Sequence, residues 1–171
     1  TPMPNINKLR MKLHYLAFVI VLFLPWAGQA QTLMLNEVMS KNVSTVQDQD
    51  GEFPDWIELY NPSSNAHSTQ GLFLSDDSQD LQKWAIPDQS VAAGGHALIF
   101  ASGKDLTTNE LHTNFSISSA GEAIYLSDSS GLVLDSIPAV PMTDDVSYAR
   151  QIDGDANWVL STSSTPNAAN Y

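Results

Sequence analysis

The sequence predicts an all-β domain folded as a two-layer sandwich. Three observations point there. After residue 31 no stretch keeps apolar residues at a helical period, whereas short runs alternate at period two. Segments rich in Asp, Asn, Gly, Ser and Pro punctuate those runs at short intervals. The chain also contains no cysteine, so its stability has to come from a packed core rather than a disulfide framework.

The strands follow in order. Leu33–Val38 is the first, and a long polar loop, Lys41–Pro54, leads to the second at Asp55–Tyr60. In that second strand Trp56, Glu58 and Tyr60 face one way and Asp55, Ile57 and Leu59 the other, and Asn61-Pro62 ends it. Gly71–Ser75 and Lys83–Ile86 are short third and fourth strands, closed by Asp76-Asp77 and Pro87-Asp88. The turn Ala93-Gly94-Gly95 precedes His96–Ala101, whose almost continuous apolarity predicts a central strand covered on both faces. Phe115–Ile117 is a short extended piece. Glu122–Ser127 and Leu132–Ile137 flank Asp128-Ser-Ser-Gly131, a composition suited to a hairpin turn. Ser147–Arg150 and Trp158–Leu160 bracket the turn Asp153-Gly154-Asp155, and the polar segment 161–171 reads as an exit from the domain. The total is about nine short strands, the number of an immunoglobulin-like sandwich.

Residues 1–30 stand apart from that domain. Lys8, Arg10 and Lys12 precede an unbroken apolar run from Leu16 to Leu24, and Gly28-Gln29-Ala30 supplies small residues at its end. This is the layout of a secretory signal peptide cleaved after Ala30, with Met11 as the natural start. The run is too short for a membrane span, which needs ~20 residues, and without cysteine there is no site for a lipid anchor. One domain is therefore expected over 31–171, exported and secreted, periplasmic or cell-surface. All 19 acidic residues follow residue 30, against four basic ones, so this part carries a net charge of −15. A surface of that sign repels nucleic acid and anionic lipid.

The order of the segments carries a resemblance. LNEVMSKN, DGEFPDWIELYNPS, GLFLSDD, KWAIPD, AGGHALIFASGKD, LHTNFSISSAGEAIYLSDSSGLVLDSI, DVSYAR and STPNAAN, spread over residues 33–170, resemble the bacterial lamin tail domain. The resemblance implies an immunoglobulin-like β-sandwich, frequent in exported bacterial proteins and often a non-catalytic companion of enzymatic modules. In that family a glycine more commonly follows the proline of the closing motif, where this chain has Asn167. The family has no agreed catalytic residues to transfer.

Several constellations invite chemistry. Asp48, Asp50 and Glu52 alternate in a glycine-containing loop and Asp55 follows, the crowding of hard oxygen ligands that calcium requires. Calcium is thus the one candidate cofactor, at Asp48, Asp50, Glu52 and Asp55. The ordinary explanation is that Asp and Gly shape turns. Trp56 and Trp84 are the candidate ligand-binding residues if their rings form a sugar platform, and core residues otherwise. Glu37 and Glu58 fall inside strands; once buried they need backbone amides, Lys83 or Arg150 as partners. His67, His96 and His112 lack zinc spacing, and no serine lies in a G-x-S-x-G motif.

The expectation is a non-catalytic binding, adhesion or scaffolding module, monomeric, whose partner is a protein or a cell-surface glycan. The alternatives are a carbohydrate-binding module using exposed Trp and, from a different class, a small acid–base hydrolase built on the acidic loop.

Overall fold

The computed structural model describes residues 33–170; the expected leader lies outside them. Two antiparallel sheets pack face to face. The first is five-stranded, in the order β11-β10-β1-β2-β7, and the second four-stranded, in the order β5-β4-β8-β9. In chain order the strands are β1 (Met34–Met39), β2 (Asp55–Tyr60), β3 (His67–Ser68), β4 (Leu72–Ser75), β5 (Trp84–Ala85) and β6 (Ser90–Val91). There follow β7 (His96–Ala101), β8 (Ile124–Asp128), β9 (Val133–Ile137), β10 (Ser147–Arg150) and β11 (Trp158–Ser161). A small ribbon, β3-β6, adds to the sandwich. The β8–β9 hairpin forms as expected, with a register shift at Leu126/Ser127.

Alternation decides the core. Val38, Ile57, Leu59, Ala97 and Ile99 point inward from the five-stranded sheet and meet Leu72, Leu74, Ile124, Leu126 and Ile137 from the other. Trp84, Ile86, Leu111, Phe115, Ile117 and Met142 close the rim of the same cluster.

The outer face of the five-stranded sheet is also covered. Met39, Trp56 and Phe100 form a second, smaller buried cluster there, joined by Val46 of the long loop. Trp56 and Glu58 therefore do face away from Ile57 and Leu59, yet all four are buried.

Two expectations are corrected. β7 ends its sheet and is not central. Its apolarity reflects cover on both faces, and its outer edge is capped by chain: the Phe100 amide donates to Leu111 O and the Thr113 amide to Phe100 O, both at 2.8 Å. The final segment does not leave the domain either. It folds back over the outer face, where Thr165 and Asn167 reach residues of β1 and β2.

Truncating a core residue at the middle of this arrangement should be costly. Leu59→Ala is expected to lower the unfolding free energy by about 2–5 kcal/mol, whereas Leu132→Ala, at an exposed position, should change it by less than about 0.5 kcal/mol. Urea melts followed by tryptophan fluorescence separate the two.

Candidate functional site

Three loops meet at one end of the sandwich: β1–β2 (40–54), β7–β8 (102–123) and β9–β10 (138–146). The sequence folds each by local side-chain bonding. Asp48 Oδ1 accepts the amides of Asp50 and Glu52 at 3.0 and 2.9 Å, and Gly51 turns the chain with φ +79°. Asn42 Nδ2 donates to the carbonyls of Val46 and Pro54, closing the base of the same loop.

Long-range contacts then fasten the loops together. Lys104 Nζ lies 2.6 Å from Asp48 Oδ2, 2.8 Å from Asp50 Oδ2 and 2.8 Å from Glu52 Oε2. The Gln49 amide donates to Glu110 Oε2. Asp145 Oδ1 accepts the amides of Val43 and Ser44, while Asp145 N donates to Lys41 O.

Electrostatics follow from these partners. Burial pushes the Asp48 carboxyl up, but Lys104 and the two amides outweigh it and hold the group below the usual range. The same three carboxylates, Asp48 first, raise the Lys104 ammonium. Asp55 stands outside the cluster at the base of the loop. Burial raises it to about 6, partly offset by the amides of Asn42 and Ile117.

Of the four acids expected to hold calcium, Asp48, Asp50 and Glu52 are thus gathered, with oxygens within 4.8 Å of one another, and Asp55 is not. An internal ammonium sits among the three. Nothing in the loop itself announces Lys104, which comes 52 residues after Glu52 in a separate loop.

Trp56 and Trp84 present no ring face to solvent, being 0% and 3% exposed. Trp84 Nε1 donates to Asp105 Oδ1, and Trp56 Nε1 has no acceptor. These positions correct the platform expectation, because a stacking surface must be open and both rings fill the interior. His112 is fully buried; its Nδ1 meets Ser102 Oγ at 2.9 Å, and burial holds its pKa down. Ser102 Oγ also receives the Lys104 amide, which makes the pair part of a turn.

A second polar centre lies on the outer face. Glu37 and Glu58 are cross-strand partners, both fully buried. Neither meets a cation, since Lys83 pairs with Asp76 and Arg150 with Asp135. Their partners are amides and hydroxyls. Thr165 N and Oγ1 donate to Glu37 Oε2 at 3.0 and 2.9 Å, and Asn167 N donates to Glu58 Oε2 at 2.6 Å. Asn36 Nδ2 bridges Glu58 Oε1 and Asp153 Oδ1, and Asp153 also receives the Asn170 amide and contacts His96 Nε2.

Burial drives Glu58 up to about 8, with Asn36 and Asn167 pulling it down and the charges of Glu37 and Asp153 adding to the rise. Glu37 is raised for the same leading reason. A cleft of about 180 Å³, lined in part by Glu37, Val159 and Thr165, borders this centre.

The proton on Glu58 has a consequence for stability. The native state keeps it to about pH 8, whereas the unfolded chain releases it near 4.5. Stability from this site is complete below pH 4.5 and lost as pH rises to 8. Glu58→Gln, which cannot ionise, should therefore gain melting temperature relative to the parent between pH 5 and pH 8.5. Calorimetry at the two pH values measures the difference; an equal offset at both would contradict the assignment.

A family model for the lamin tail domain matches residues 27–140. The match takes in β1 to β9 and ends before β10, β11 and the segment that covers Glu37 and Glu58. Among curated proteins no match is found. With two thirds of its length matched and its sheets arranged as described, this chain belongs to the lamin tail domain family, whose fold is an immunoglobulin-like β-sandwich.

Proposed function

We propose that the domain is an exported, non-catalytic recognition module that binds a basic protein surface through its loop end. One observation carries the reading: each of the four described Lys and Arg residues is spent on an internal ion pair, while many exposed acids have none. The three loops at this end carry eight acids against only Lys41 and Lys104, and two apolar side chains, Val43 and Phe53, are exposed on the first of them. Apolar side chains on loops with an excess of acid suit a partner with basic residues around a hydrophobic contact. Because the loops are fastened by Lys104 and Asp145, little ordering entropy is lost on binding.

The hydrolase alternative needs two free carboxyls converging in the acidic loop, but Asp48, Asp50 and Glu52 are engaged by Lys104 and Asp55 stands outside their cluster. That favours recognition over the hydrolase alternative.

Panning a random peptide display library against the immobilised protein tests the reading. Enriched peptides should be rich in Lys and Arg with an apolar residue between. Their binding should fall at least tenfold in Phe53→Ser and weaken in 0.5 M salt, where screening shortens to a few Å. A neutral or acidic pool would overturn it.

The cluster also bears on calcium. We infer that Lys104 serves as its resident cation, so a divalent ion has to displace an ammonium. Thermal unfolding of the parent in millimolar calcium and in chelator should superimpose. Lys104→Met, leaving three uncompensated carboxylates, should melt lower in chelator and regain several degrees with calcium; binding at ~100 times the dissociation constant contributes roughly 2.7 kcal/mol. A calcium-dependent rise in the parent would instead make the loop a metal site.

A further inference from the structure

We propose that the flank bounded by β9 and β11 is a self-association surface, on which a second copy of this chain pairs its β11 antiparallel to the first. Each sheet has a free edge on this flank, with β9 packed against β1 and tied to β10. β9 ends the four-stranded sheet and β11 the five-stranded one. Arg150, on β10, pairs with Asp135 of β9 at 2.8 Å while its guanidinium lies 4.7 Å from the ring centre of Trp158 on β11.

Exposure concentrates here. Of the seven large apolar side chains that are exposed among the described residues, five belong to β9, β11 and the turns leading into them. They are Leu132 (60%), Val133 (39%), Ile152 (57%), Val159 (39%) and Leu160 (56%). Val159 and Leu160 are successive residues of β11 and point to opposite faces of the sheet, so this edge strand is apolar and exposed on both faces.

The edge of β11 carries no charge, proline or bulge, and its short length is the one defence it keeps. Exposed edges are blunted by charge, proline, a bulge or a covering segment. At the opposite end of the same sheet, β7 is capped by residues 111–113. β11 reads Trp-Val-Leu-Ser and pairs with β10 without a register shift. From Ala156 to Asn170 no residue is charged.

That absence argues for a second copy as the occupant. Two domains of net charge −15 repel wherever acids face each other, and this flank is where like copies approach at least cost. Its β9 acid, Asp135, is neutralised by Arg150, and of the two acids in the β10–β11 turn Asp153 is engaged by Asn36, Asn170 and His96, which leaves Asp155 without a cation.

The register follows from the ladder. The Gln151 amide donates to Asn157 O, and hydrogen-bonded pairs alternate along an antiparallel ribbon, so Val159 and Ser161 turn their backbone groups toward β10. Trp158 and Leu160 turn theirs outward. A two-fold axis at Val159 lets Trp158 of each copy exchange both backbone bonds with Leu160 of the other. Val159 then faces itself at a non-hydrogen-bonded position, with Cα atoms about 4.5 Å apart, and the contact is self-complementary as two-fold symmetry requires. So short a strand pair makes a small interface of the weak, transient class.

Sedimentation velocity of the purified protein from 5 to 500 μM, joined to cysteine cross-linking, tests this. The parent should shift from monomer to dimer across that range. Leu160→Lys, at an exposed site that tolerates the change, should raise the dissociation constant at least tenfold. Since the chain has no cysteine, Val159→Cys should give a disulfide-linked dimer under mild oxidation and Val133→Cys should not. A parent that stays monomeric at 500 μM overturns the proposal and leaves the flank to a different partner. A dimer unaffected by Leu160→Lys, or linked through position 133 and not 159, overturns the β11 pairing.

Discussion

Two carboxylic acids at facing positions in the middle of a sheet set the conditions for much of this structure. Glu37 and Glu58 point to the outer face, opposite the core, where an ordinary sandwich would meet water. Here they are sealed in without a cation, and a buried carboxyl in that situation must either be surrounded by donors or keep its proton. Both answers are used. Thr165, Asn167 and Asn36 supply the donors, and burial raises both acids. The polar composition of the last segment is thereby explained: a chain that lies on carboxyl groups needs free amides and hydroxyls rather than apolar side chains. Trp56, Met39 and Phe100, on the same face, complete a second layer that the sandwich pattern alone does not require.

The acidic loop solves the opposite problem. Asp48, Asp50 and Glu52 would repel one another if left alone, and they are drawn together around Lys104. Asp48 carries the structural weight, because its carboxyl is fully buried and also receives two loop amides, while Asp50 and Glu52 remain largely exposed and screened. The result is a set of loops joined by charge-assisted bonds across distant parts of the chain, without any cysteine. Preorganisation of this sort is what a recognition surface needs and what a flexible linker lacks.

Much of the framework was legible in the sequence. β2, β7 and β10 lie where alternation and flanking turn residues placed them, and the Asp128–Gly131 turn marked the β8–β9 hairpin. These segments were readable because each is a local pattern, with period two between strong breakers. The ribbon of His67–Ser68 with Ser90–Val91 was not, since two residues cannot display a period. The place of β7 was misread because apolarity reports cover on both faces and not the number of hydrogen-bonded neighbours. The site was less readable still. Asp48, Asp50 and Glu52 stand together in sequence and signal a cation, but which cation depends on a lysine brought from β7–β8 by tertiary folding. Burial of Glu37 and Glu58 was foreseeable from their strand positions; their partners, more than 100 residues away, were not.

The position of β1 has a consequence for how this chain is made. It is the first strand of the described residues and the middle strand of its sheet, flanked by β2 and by β10. Its Leu35 carbonyl accepts from Arg150 Nε across 115 residues of chain. The five-stranded sheet therefore cannot close until residues 147–161 have been made. Such non-local closure makes folding slow. It also leaves β1 without one of its two neighbours until residues 147–150 arrive, an unpaired edge that is open to misassembly in the interval.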